Sequence, residues 1–220
     1  MPRQILSTLP EKIDPRWATL LVIDVQNDFA SPGGAFHRTG EDITMAQEIL
    51  PRLVNLVARA RHCQVPIIFI GAIYSTNDNR YLSDVFLHQM KRKKSGRYFE
   101  VPVCVPESWG AELAPGLEPR PEDTMIIKHR YSAFLNTDLE LRLRSQGIRT
   151  LLITGVSTSV CVESTARHGH FLDYYNVIVG DCCADYRKNV HEDALQRLDL
   201  HYGEVANAET VIATWKSAGR

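Results

Sequence analysis

Two spacings of apolar residues alternate along the chain. Residues 18–23, Ala-Thr-Leu-Leu-Val-Ile, form a short β-branched run that stops abruptly at Asp24, as a strand buried on both faces does. From 43 to 61, Ile49, Leu53, Leu56, Val57 and Ala60 recur at helical spacing, which predicts a helix laid on the sheet. Pro51 inside it predicts a kink or a break. A second apolar run at 65–70 completes a βαβ unit of right-handed crossover. A third strand at 124–127 ends at Lys128 as the first ended at Asp24, and Asn136 or Thr137 caps a helix over 138–146 that closes at Gly147. A fourth strand then covers 150–154, and an amphipathic helix starts at Cys161 and reaches about Phe171. A fifth strand at 175–179 ends near Asp181-Cys182-Cys183, a helix covers 190–200, a sixth strand surrounds Val205 and a helix closes the pattern at 208–216. This alternation predicts one α/β domain with a doubly wound, largely parallel sheet.

The alternation lapses between 74 and 120. Lys91-Arg92-Lys93-Lys94 and Arg97 form a charge run, and Pro102, Pro106, Pro115 and Pro119 punctuate the residues after it. So long an irregular insertion in a compact domain predicts a lid or an oligomer contact. The charge run is read as a solvated helix face ahead of a substrate-binding patch. Trp109 is a candidate cover for a pocket or an ordinary core residue. Residues 1–15 form an N-terminal arm.

Composition narrows the partners. At 220 residues, with a net charge of −1 and a pI of about 6.7, the chain buries a full core and presents no global field for nucleic acid or an anionic membrane. A small molecule is the expected partner. Five cysteines, odd in number and unevenly spaced, with no signal peptide and no long apolar segment, predict a reducing cytoplasm.

The candidate chemistry centres on 151–167. An apolar run ends at Gly155, a hydroxylic turn comes next, and Cys161 opens the next helix. A cysteine in a first helical turn meets free backbone N–H groups and the positive end of the macrodipole, which predicts a thiol that ionises readily. The same N–H groups suit an oxyanion. Asp24, Lys128 and Cys161 each follow a predicted strand at its carboxyl end, the edge where open α/β sheets bind ligands. Together they suit nucleophilic attack on an amide or carbonyl. Gln26 and Asn27 offer polar partners for a substrate, and Phe29 and Tyr131 are candidate pocket walls. Vicinal Cys182-Cys183 with His168 and His170 do not make a tetrahedral metal site, and these histidines are expected to face solvent. Glu163 and Arg167 are spaced as an i,i+4 pair.

Three stretches carry a family resemblance: Val22-Ile23-Asp24-Val25-Gln26-Asn27-Asp28-Phe29, Lys128-His129-Arg130-Tyr131-Ser132-Ala133-Phe134, and the run from Thr154-Gly155-Val156-Ser157 through Cys161 to Arg167. With them the chain resembles the isochorismatase-like cysteine hydrolases. The resemblance implies a Rossmann-like three-layer α/β fold with a six-stranded, largely parallel sheet, an Asp24-Lys128-Cys161 triad, and a homo-oligomer, dimer or tetramer. It implies a cis peptide between Val156 and Ser157 that turns the N–H groups of Ser157 and Cys161 toward the oxyanion, with Val156 beside the substrate. No cofactor and no metal are implied.

Cys161 separates branches of that family, because members that cleave the vinyl ether of isochorismate have no cysteine there and amide-cleaving members do. Nicotinamidases place an aspartate and histidines for a metal after the second strand, where this chain reads Ala72-Ile73-Tyr74-Ser75-Thr76-Asn77. The stretch 130–181 is most similar to the ureidoacrylate and biuret-type amidohydrolases, from which the chain departs at Ile73 and Tyr74. The function implied is a cysteine-dependent amidohydrolase that cleaves a C–N bond of a small linear carbamoyl or ureido amide through a thioester and releases ammonia. The alternatives are a nicotinamidase-like or isochorismatase-like hydrolase of another small substrate, or a catalytically silent binding subunit.

Overall fold

The computed structural model describes residues 5–93 and 96–217. Among them a six-stranded, all-parallel sheet is formed by β1 (Ala18–Ile23), β2 (Ile67–Ala72), β3 (Thr124–Lys128), β4 (Thr150–Val156), β5 (Tyr175–Ala184) and β6 (Glu204–Ala206), in the order β3-β2-β1-β4-β5-β6. The helices are α1 (Leu9–Lys12), α2 (Asn27–Ala30), α3 (Ala35–Arg38), α4 (Thr44–His62), α5 (Asp84–Arg92), α6 (Leu139–Ser145), α7 (Glu163–Phe171), α8 (Lys188–His201) and α9 (Ala208–Ser217).

Strand periodicity of two divides the core between the faces of the sheet. Leu20, Val22, Ile67, Phe69, Leu152 and Val177 pack with α4 and α9 on one side. Leu21, Ile23, Ile68, Ile70, Leu151 and Ile153 pack with α6, α7 and α8 on the other. Both faces are covered, so β1, β2 and β4 are buried along their whole length and read in sequence as unbroken apolar runs. Each such Leu, Ile or Val contributes about 1.5–3 kcal/mol by leaving water.

The chain runs outward from β1 to β2 and β3, then returns to place β4 on the other side of β1. That reversal opens a crevice at the carboxyl ends of β1 and β4, the place where doubly wound sheets take ligands. Gly155 makes the close approach possible. Its φ is +122°, and a Cβ there would stand 2.0 Å from the Ile23 carbonyl oxygen.

Several local expectations are corrected. α4 runs through Pro51 without a break. β5 extends to Ala184, so Cys182 and Cys183 are buried strand residues; a register shift against β4 near Ile153 and Gly155 carries it on. The insertion contains α5, with Ser83 capping its N-terminus through the Phe86 N–H. That S-D start was a legible capping signal. Cys161 does not open an α-helix: a π-helical turn, Thr158–Val162, stands between β4 and α7. No helix among the described residues is long and apolar enough to cross a membrane.

Candidate active site

Asp24 follows β1 directly and turns the chain with a φ of +52°, a conformation aspartate tolerates better than most residues. Lys128 ends β3, in register with Ala72 of β2, and its side chain reaches past that strand to the crevice. Its Nζ lies 2.7 Å from Asp24 Oδ2, donates to the Arg130 carbonyl at 2.9 Å and stands 3.4 Å from Cys161 Sγ. Asp24, Lys128 and Cys161 are all buried. Beyond the ion pair, neither Asp24 oxygen has a well-aligned hydrogen bond among the described residues.

Burial pushes the Asp24 carboxyl above the usual range, against the pull of Lys128. For Lys128 burial works the other way, but Asp24 and Cys161 together outweigh it and hold the ammonium above the ordinary lysine value. Burial, then the Asp24 carboxylate, push the Cys161 thiol far up, with Lys128 opposing them. The expectation of a readily ionised thiol is therefore overturned for the unliganded site. Desolvation and a neighbouring carboxylate exceed what one lysine and the turn's N–H groups return.

The turn that carries Cys161 is fixed from outside. The Val156–Ser157 peptide is cis. Asp185 Oδ2, just past β5, accepts the Ser159 N–H at 2.9 Å and its hydroxyl at 2.7 Å. Thr158 Oγ1 meets His191 Nδ1 at 2.8 Å. Glu163, at the start of α7, takes Arg167 at 2.6 Å, the predicted i,i+4 pair, and also Arg197 at 3.1 Å.

A cavity of about 120 Å³ opens on this cluster, lined by Asp24, Phe29, Tyr131, Val156, Ser157 and Cys161 together with residues of the surrounding loops, of which sequence reasoning weighed only Lys93 and Arg97 of the charge run for a substrate. Tyr74, Met90, Lys93, Arg97 and Tyr98 come from the 74–120 insertion, while Phe36, Glu41, Asp185, Tyr186 and Arg187 come from other loops. Tyr74 was within reach of the rule that found Asp24 and Lys128, since it lies two residues beyond β2 at the same edge of the sheet. Lys93 lines the cavity, so the described part of the charge run is not wholly a solvated face; Lys94 lies outside the described residues. Arg97 pairs with Glu41 at 2.7 Å and lies over the Phe36 ring at 4.1 Å.

Three expected substrate contacts lie elsewhere. Gln26 spends its amide on the Ala72 N–H, the Ala72 carbonyl and the Ala111 carbonyl. Asn27 donates to the Trp109 carbonyl and accepts from the Ser31 hydroxyl. Both tie the loop after β1 to the insertion, their amides bonded within the core, and neither lines the cavity. Trp109 is half exposed in a short turn outside the cavity. His168 is half-buried against Ser132 Oγ at 2.9 Å, whereas His170 is exposed.

The isochorismatase domain model matches residues 18–210. The chain belongs to the isochorismatase family. It is 32% identical to the ureidoacrylate amidohydrolase RutB of Methylobacterium radiotolerans over 97% of this chain and 84% of that protein. A cysteine hydrolase from Pseudomonas syringae pv. phaseolicola shares its fold, with a TM-score of 0.79 at 24% identity over 99% of this chain and 100% of that one. A nicotinamidase of the same fold from Bacillus subtilis superposes with a TM-score of 0.70 at 27% identity, covering 86% of this chain and 99% of its own. In this isochorismatase-family chain no group of three metal-ligating side chains gathers among the described residues.

Proposed function

We propose that this hydrolase of C–N bonds is a cysteine amidohydrolase acting on a small linear carbamoyl or ureido amide. The observation that carries the reading is the buried Asp24-Lys128-Cys161 cluster facing a cavity of about 120 Å³ at the β1/β4 crevice. The cavity is smaller than the roughly 300–1,000 Å³ of drug-sized sites, which suits a substrate of a few heavy atoms. The similarity to a ureidoacrylate amidohydrolase supports the same class.

In the resting site the proton stays on sulfur. When substrate enters, Asp24 takes it, and the sulfur attacks the carbonyl carbon as Lys128 offsets the charge that appears. The oxyanion is received by the N–H groups of Ser157 and Cys161. Asp24 returns its proton to the departing nitrogen, the C–N bond breaks, and ammonia or an amine leaves a thioester on Cys161. Water, deprotonated by Asp24, then adds to the thioester carbon; the C–S bond breaks and the proton returns to sulfur. A carboxyl whose pKa is raised by burial is a better base for both steps than a solvated one. The insertion supplies much of the cavity wall that selects the substrate, and the mixed charges of its Lys93 and Arg97 with Glu41 from a neighbouring loop favour a polar amide over an aromatic one.

The test is ammonia release from ureidoacrylate, biuret, carbamoyl amino acids and nicotinamide. A ureido or carbamoyl compound should give the highest kcat/KM. A nicotinamide value tenfold or more above the others overturns the substrate class, and release from none of them points to a silent binding subunit.

A further inference from the structure

We infer that the Tyr74 hydroxyl is a substrate-binding group that donates a hydrogen bond to a second acceptor oxygen near the scissile carbonyl, so that the site selects amides carrying one. The inference rests on the amidohydrolase reading and adds the substrate's second polar group to it.

Tyr74 is 2% exposed and lines the cavity together with Asp24 and Cys161. Its hydroxyl is buried and has no hydrogen-bond partner among the described residues. Native proteins rarely leave a buried hydroxyl in that state, and where they do the group calls for an explanation. Burial holds the phenol well above its ordinary pKa, and the next largest influences are Cys161 and Asp24. The hydroxyl is therefore neutral and keeps its proton as a donor, close enough to Cys161 and Asp24 to feel the charge of both.

The ring cannot swing to another partner. It is stacked on Phe86 at 5.6 Å, meets Tyr98 edge-on at 5.5 Å, and has Lys128 Nζ 5.9 Å from its centroid. The Tyr74 N–H donates to the Cys104 carbonyl. A phenylalanine would keep every one of these contacts, so the oxygen is the one part of the side chain that the free protein does not use.

The chemistry of the ligand is set by what the other groups already take. Ser157 and Cys161 receive the scissile carbonyl oxygen, and Asp24 faces the departing nitrogen. What remains is a donor without an acceptor, and the carbonyl or carboxylate oxygen on the far side of a ureido nitrogen supplies one. Biuret and N-carbamoylglycine carry such an oxygen, while N-ethylurea does not. A site built to bond a polar group discriminates against the analogue that lacks it.

The experiment places Tyr74→Phe in the full chain, with and without Cys161→Ala. Without ligand, the Tyr74→Phe thermal midpoint should equal or exceed that of the parent. In the Cys161→Ala background, biuret or N-carbamoylglycine should bind about 10–100-fold more weakly after Tyr74→Phe, as one lost hydrogen bond of that kind gives, while N-ethylurea binds both forms alike. With Cys161 present, the same ratio should appear in kcat/KM. Equal affinity in both forms, binding by none of the three compounds, or a midpoint several degrees lower after Tyr74→Phe would overturn the inference. Binding differences without turnover by the Cys161 protein would instead remove the amidohydrolase reading and leave the Tyr74 contact standing.

Discussion

Lys128 Nζ stands 2.7 Å from Asp24 Oδ2, and neither side chain is more than 1% exposed. The pair is held inside the sheet's edge, where removal of one partner leaves an uncompensated charge costing about 3–5 kcal/mol. Lys128→Met should therefore be destabilised at neutral pH. The sign with pH comes from Asp24, whose folded-state pKa is already raised by burial and rises further without the lysine. A carboxyl of that kind destabilises the fold only when ionised, so the deficit should shrink as pH falls through its folded pKa. Urea unfolding of both proteins at pH 5 and pH 8 measures this, and a deficit that grows on acidification contradicts it.

The same variant should move the reactivity of Cys161. Lys128 pulls the thiol's pKa down, and an opposite charge at such range is worth about 1–3 pKa units. The midpoint of the alkylation rate should shift upward in pH after Lys128→Met. An unmoved midpoint would detach Lys128 from the thiol.

Asp24→Asn should separate reactivity from catalysis. The Asp24 carboxylate raises the thiol pKa, so its neutral isostere should bring the alkylation midpoint down. Yet without a proton acceptor the acylation step should slow by about 10²–10⁴. Rapid-quench ammonia release beside alkylation rates reads both effects, and a variant that alkylates faster and still turns over at the parent rate removes Asp24 from the base role.

Cys161→Ala should abolish turnover and keep the fold, because the thiol's replacement leaves the Asp24–Lys128 pair intact. Mass spectrometry of the acid-quenched parent should find an acyl adduct on the peptide containing Cys161. More than a few per cent of residual activity in the alanine variant excludes the covalent route.

The legibility of this molecule in its sequence depends on which physics is local. Strands buried on both faces write themselves as apolar runs, so β1, β2 and β4 were readable, and a charged residue closing a run marked Asp24 and Lys128. Gln26 and Asn27 misled because their partners, Ala72, Ala111 and Trp109, are 46, 85 and 82 residues away. No spacing rule reports contacts of that kind. The thiol's raised pKa was hidden for a related reason: helix-end effects are visible in a motif, whereas desolvation depends on the whole assembled crevice. The rest of the cavity wall from the insertion, Met90 and Tyr98 above all, lies where periodicity is lost, whereas Tyr74 stands just past a readable strand.

Asp185 provides the sharpest test of how the nucleophile's turn is held. Its Oδ2 takes both the N–H and the hydroxyl of Ser159, two residues before Cys161, while Oδ1 accepts the Tyr186 N–H at 2.8 Å. The carboxylate is thus an acceptor on both sides, and Asp185→Asn cannot be. Whichever way the amide is turned, its NH2 faces a backbone donor, either at Ser159 or at Tyr186. The turn should loosen, and a loss of one charge-assisted bond of about 1.5–3 kcal/mol should appear chiefly in kcat, lowered about tenfold or more. Ser159→Ala, which deletes only the hydroxyl partner, should fall less. Combined with Asp185→Asn it should add little, because residues sharing one interaction are not additive. Strict additivity of the two, or an Asp185→Asn kcat within twofold of the parent, would show that this carboxylate does not position Cys161.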